Sequence, residues 1–149
     1  MRIMVDLNVI LDVLMNREPF VSAATRICDD CRFDCYVSAH LVTTAAYLAR
    51  KINAEAQEAT LDFILENFHV VPCDGNMLSE ARALGFADYE DAVLSIAAKK
   101  ARCKFIVTRN VRDFASSPIP AMSPSEFLAQ RREMRIICGK FLNVENRRF

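Results

Sequence analysis

The opening stretch MRIMVDLNVILDVL constrains this chain more than any other. Residues 2–6 read as a buried strand, and Val9 to Leu14 read as a short helix directly after it. Asp6, Asn8 and Asp12 interrupt the apolar run. A charge that ends a buried strand is costly unless it is paired or ligated, and no nearby basic residue offers itself to Asp6.

The same strand-then-helix rhythm continues along the chain. Residues 20–32 predict an amphipathic helix with Phe20, Ala24, Ile27, Cys28 and Cys31 on one apolar face. CYVS (35–38) is a short strand entering a long helix, capped by Ser38 and ending near Ile52. A helix over 54–67 carries Ala59, Leu61, Phe63, Ile64 and Leu65 toward the core, and FHVVPC (68–73) is a third strand. Helices follow over 76–85, stopped by Gly85, and over 89–101, opening at Asp88. KFIVT (104–108) is a continuous apolar run of the kind found in parallel sheets covered on both faces. Ile119 to Met122 suggest a fifth strand before SPSEFLAQR, where Ser123, Pro124 and Glu126 spell a capped helix start.

Strands alternating with helices imply right-handed crossovers, hence an α/β, doubly wound, Rossmann-like fold. The expectation is a central parallel sheet of four to five strands flanked by helices. Ligands in such sheets bind outside the carboxyl ends of the strands, where the strand order reverses. Asp6 stands at one such end.

Composition narrows the setting. A chain of 149 residues is the size of one domain. No apolar stretch approaches the roughly 20 residues that span a bilayer, and Asp6 and Asp12 break the only candidate for a signal peptide, so no membrane association and a cytoplasmic location are expected. The zero net charge is unevenly placed, with 13 basic and 17 acidic residues over 1–130 and six basic against two acidic over 131–149. This divides the chain into a body, 1–130, and a basic C-terminal extension, 131–149, suited to nucleic acid or an acidic partner. CDDCRFDC lacks the second cluster of a structural zinc site, so its cysteines are expected to be packed thiols.

Three separated stretches place acids at comparable positions: Asp6, then Asp88 and Asp91 in FADYEDAVLSIAA, then Asp113 in IVTRNVRDF. Helix capping accounts for Asp88 and Asp91 without a metal, and a turn accounts for Asp113. If the acids converge, they repel one another unless a hard divalent cation lies between them, and oxygen-only ligands favour Mg²⁺ or Mn²⁺. Other chemistries fit poorly. Three glycines cannot build a phosphate-binding GxGxxG loop, and neither His40 nor His69 has a nucleophile partner by motif.

VDLNVILDVL, DYEDAVLSIAA, FIVTRNVRDF and IPAMSPSEFL stand in the order and spacing typical of PIN domains, which the chain resembles over about residues 2–130. The resemblance implies a metal-dependent ribonuclease of Rossmann-like fold, and many small bacterial members are toxins of toxin–antitoxin pairs. It implies Asp6, Asp91 and Asp113 as metal-binding acids, with Asp88 as an additional catalytic acid. Asn8, Thr108 and Asn110 match polar residues that support the site. The resemblance further implies an RNA substrate, an antitoxin partner and a homodimer. One departure stands out: where the family usually has a Glu after the second strand, this chain has Thr44, and no acid occurs from Ser38 to Ile52. The leading reading is an endoribonuclease using Mg²⁺ or Mn²⁺, with Arg109 and Arg112 on substrate phosphates. The alternative is a degenerate PIN domain that binds RNA or protein without cutting.

Overall fold

The computed structural model describes residues 1–131. Its strands are β1 (Arg2–Val5), β2 (Asp34–Ser38), β3 (His69–Val71), β4 (Phe105–Val107) and β5 (Ala121–Met122). They form one all-parallel sheet in the order β3-β2-β1-β4-β5. The expected α/β architecture is therefore present, with five strands. Met4 pairs with Tyr36 on one side and Ile106 on the other, which makes β1 the central strand. The order of strands reverses between β1 and β4, so the crevice favoured for ligands opens beyond Val5 and Val107.

The helices are α1 (Leu7–Leu14), α2 (Val21–Cys28), α3 (Ala39–Arg50), α4 (Ala54–Asn67), α5 (Gly75–Ala83) and α6 (Tyr89–Lys100), with residues 124–131 also helical. A single 3₁₀ turn covers Val111–Phe114. Ile3, Met4, Val5, Val37, Ile106 and Val107 have no exposed surface, as strands covered on both faces require. Fully burying each such aliphatic side chain contributes about 1.5–3 kcal/mol. In α6 every residue from Ala92 to Ala98 is buried, and its alanines let the helix lie close against the sheet.

Local chemistry sets several helix starts. The side chains of Asn53, Asp74 and Asp88 accept hydrogen bonds from the backbone N–H groups of Ala56, Met77 and Glu90, capping α4, α5 and α6. Ser123 and Glu126 form the reciprocal capping box their spacing suggested. Gly85 takes φ +66°, a backbone conformation that glycine adopts at least cost.

Four expectations are corrected. Helix α2 runs only from Val21 to Cys28: Phe20 precedes it and is 41% exposed, and the chain turns at Asp29, which leaves Cys31 exposed. Ser38 occupies the N-cap of α3 but makes no capping bond, since its hydroxyl pairs with His40 Nδ1 at 2.8 Å. On α4 the buried residues are Thr60 and Ile64, whereas Leu65 is 60% exposed, because this helix covers the sheet with one narrow stripe. The helix after β1 starts at Leu7 rather than Val9, which puts Asp6 at its N-cap. The basic extension, apart from Arg131, lies outside the described residues. Among the described residues no helix is long and apolar enough to cross a membrane.

Candidate active site

The end of β1 is built around Asp6. Its backbone N–H donates to Val107 O at 3.0 Å, and its carbonyl accepts from Val9 and Ile10, so the backbone belongs to sheet and helix at once. The side chain makes no capping bond and is held instead by Asn8 and Thr108. Oδ2 accepts from Asn8 Nδ2 and from Thr108 Oγ1, both at 2.7 Å. Thr108, fully buried just beyond β4, also accepts from Asn8 Nδ2 at 3.1 Å and from the Asn110 backbone N–H at 3.0 Å. The Arg109 backbone N–H donates to Asn8 Oδ1 at 3.2 Å, closing the network. Burial pushes the Asp6 carboxyl above its ordinary range. The Thr108 hydroxyl and the Leu7 N–H pull it back, and Glu90 adds a further upward push.

The opposing wall is the first turn of α6. Asp91 is pushed up to about 7, first by burial and then by the charges of Asp6, Asp88, Asp113 and Glu90. Acids from the junction of β1 and α1, from the start of α6 and from the 3₁₀ turn therefore act on one carboxyl. Of the acids the sequence singles out, Asp6, Asp88 and Asp113 lie near enough to raise Asp91, without being gathered at ligating distance. Asp88 keeps its capping role as well.

Glu90 is the functional candidate that sequence reasoning missed. Its Oε1 accepts a 2.8 Å hydrogen bond from Thr44 Oγ1 on α3. The wall of α3 that carries no acid of its own is thus faced by one from α6. The only local signal is the density of acids in DYED, which reads equally well as a favourable helix start. His40, on the same face of α3, is held below its ordinary pKa by burial, partly offset by Glu90.

The two arginines expected at the substrate are placed differently. Arg112 lies exposed in the 3₁₀ turn beside Asp113. Arg109 directs Nε at Asp12 Oδ2, 3.4 Å away, and lays its guanidinium 4.6 Å from the centre of the Phe20 ring. Asp12 is completely buried. Burial pushes its carboxyl up, while Arg109 and Arg17 pull it down.

Among the described residues, none of Asp6, Asp88, Glu90, Asp91 and Asp113 has a basic ion-pair partner. Their oxygen-only donor set fits a hard divalent cation in kind. As the side chains stand, no three His, Cys, Asp or Glu residues among those described are gathered closely enough to hold an ion. The described cysteines are unpaired, and they form no metal cluster.

Comparison with known proteins agrees with this architecture. Ribonuclease VapC1 of Aquifex aeolicus (strain VF5) is 28% identical over 134 residues, covering 85% of this chain and 92% of that protein. VapBC-1 from nontypeable Haemophilus influenzae superposes with a TM-score of 0.66 at 15% identity, covering 84% of this chain and 99% of that one. A toxin–antitoxin complex from Klebsiella pneumoniae gives 0.64 at 21% identity over 81% of this chain and 96% of that one. VapBC2 from Rickettsia felis, bound to a DNA fragment from its promoter, gives 0.64 at 13% identity over 83% and 98%. The PIN domain family model matches residues 2–112, and the chain belongs to the PIN domain family.

Proposed function

We propose that this protein is an endoribonuclease that hydrolyses RNA phosphodiesters with Mg²⁺ or Mn²⁺, acting as the toxin of a toxin–antitoxin pair. The observation that carries the reading is the convergence of unpaired carboxylates from three elements beyond the central strands β1 and β4. Asp6, Asp91 and Asp113 would hold the ion, with Asp88 and Glu90 beside them, after side-chain rotations that draw the acids inward. When bound, such an ion supplies a water of lowered pKa and neutralises charge on the phosphoryl oxygens. Asn8 and Thr108 fix the orientation of Asp6, and Asn110 braces Thr108 through its backbone N–H. Arg112, exposed beside Asp113, would meet a substrate phosphate. The similarity to ribonuclease VapC1 and to the toxin–antitoxin complexes supports both the activity and an antitoxin partner. A homodimer and a cytoplasmic location belong to the same reading.

The test is cleavage of a single-stranded RNA pool across a range of Mn²⁺ and Mg²⁺. Cutting that requires metal, stops with chelator and is lost in Asp91→Asn is the expected result. Thr44 favours a second reading, a PIN domain that binds RNA or protein without cutting. RNA retained on the protein, with no cleavage at any metal concentration, would establish that second reading instead.

A further inference from the structure

We propose that Arg109, gripped by Asp12 and Phe20, is a preformed subsite for one backbone phosphate of the RNA, and that Asp12 is the positioning residue of that subsite. The inference rests on the RNA-directed reading above. It gives Asp12 a role outside the acidic cluster.

Asp12 is the most costly residue of the N-terminal stretch. It has no exposed surface, and neither carboxylate oxygen accepts a hydrogen bond among the described residues. Its only ion pair there is the 3.4 Å approach of Arg109 Nε, a nitrogen that is itself buried and lacks a hydrogen bond. Stability alone does not explain such a pair, since apolar residues of similar volume often serve a core as well or better. What the pair does achieve is orientation. Asp12 holds the guanidinium by its inner nitrogen, and the exposed Phe20 ring lies against its face. The backbone of the same residue is tied to Asn8, whose amide contacts Asp6.

Held this way, Arg109 has Nη1 and Nη2 without a hydrogen bond among the described residues, on a side chain that is 29% exposed. Two parallel N–H groups in a fixed plane match the oxygens of a phosphodiester. A guanidinium already immobilised loses little further freedom on binding. The backbone tie to Asn8 fixes where the Arg109 side chain starts, one residue beyond Thr108 at the carboxyl end of β4, and a strand whose scissile phosphate lies at Asp6 and Asp91 would run on toward it. Lysine would provide the charge without the fork or the stacking.

The test measures retention of a short single-stranded RNA in EDTA, as a function of salt, by the full chain and its variants. Arg109→Met should weaken retention about 5- to 20-fold and lower the salt slope by about one phosphate equivalent. Arg109→Lys should fall between. Asp12→Asn decides the positioning role because two explanations give opposite signs. Removing a negative charge near bound RNA would by itself tighten binding, whereas releasing Arg109 from its hold loosens it about 3- to 10-fold. Asn is nearly isosteric with Asp, so this variant keeps the packing, and Asp12→Leu with Arg109→Met supplies an apolar pair should Arg109→Met alone fail to fold. Tighter binding by Asp12→Asn overturns the positioning role, and unchanged affinity and salt slope in Arg109→Met overturns the subsite. Absence of RNA retention by the unmodified chain also overturns it, while the nuclease reading is judged separately by cleavage with Mn²⁺.

Discussion

The Thr44 hydroxyl donates to the Glu90 carboxylate across 2.8 Å, joining α3 to the first turn of α6. Thr44 is the position at which the family resemblance led us to look for an acid, and the acid beside it comes from another helix. Thr44→Glu would set two carboxylates against each other in a cluster that already raises Asp91. The metal-free variant should melt at lower temperature than the unmodified protein, and millimolar Mn²⁺ should recover more stability for the variant. Thermal scans with and without metal read this directly. Equal melting temperatures in both conditions would show that Glu90 turns away from the site.

Asp91 gives the metal-free protein a pH dependence. Its folded-state pKa of about 7 lies above the value of about 4 for an unfolded-chain Asp. Between those pH values the folded state keeps a proton that the unfolded chain has released, so this residue's contribution to stability falls as pH rises through the window and is level above it. Asp91→Asn removes the effect. With solvent screening of the half-buried side chain allowed for, the variant should gain about 1–2 kcal/mol at pH 8 and little at pH 4. Denaturant unfolding in EDTA at the two pH values checks both halves.

Thr108 is the hinge of the Asp6 network, since one buried hydroxyl donates to Asp6 and accepts from Asn8 and Asn110. Thr108→Val keeps the shape and deletes all three bonds, which should cost about 1–3 kcal/mol. Thr108→Ser should retain most of that stability. A Val variant as stable as the Ser variant would mean that the hydroxyl bonds contribute nothing net.

Cys28, Cys35 and Cys103 should behave as packed thiols, in contrast to exposed Cys31. Burial first, then Cys35 and Asp29, pushes the Cys28 thiol up to about 12, and Cys35 and Cys103 are pushed up to about 11 and 12. Thiols that resist ionisation are slow nucleophiles and poor zinc ligands. Brief alkylation followed by peptide mass analysis should label exposed Cys31 well before Cys28, Cys35 or Cys103. Elemental analysis finding about one zinc per chain would contradict this assignment.

What was legible in the sequence is what local chemistry decides. The caps at Asp88 and Ser123 and the apolar runs of β1 and β4 need only their immediate neighbours to be recognised. Asp6 was legible because a charge that ends a buried strand has few explanations. Glu90 was not, because its partner Thr44 lies far away in sequence and becomes adjacent only when α3 and α6 meet. The hold of Asp12 on Arg109 was hidden for the same reason. Helix α2 misled because its apolar periodicity runs on to Cys31, beyond the turn that ends the helix. Ser38 misled because a histidine two residues on takes the hydroxyl that a cap requires.

The central claim is that the carboxylates around Asp6 form a divalent-cation site, and calorimetric titration of Mn²⁺ into the unmodified protein and into Asp6→Asn tests it most directly. Asn can still accept from Asn8 and Thr108, so the variant should fold, and without metal it should be somewhat more stable because a buried charge is gone. The expected result is a saturable binding signal in the unmodified protein that is lost or weakened at least about tenfold in Asp6→Asn, the scale at which a removed ligand or its support acts. Equal affinity in the two proteins, or no binding by either up to millimolar Mn²⁺, would contradict the site.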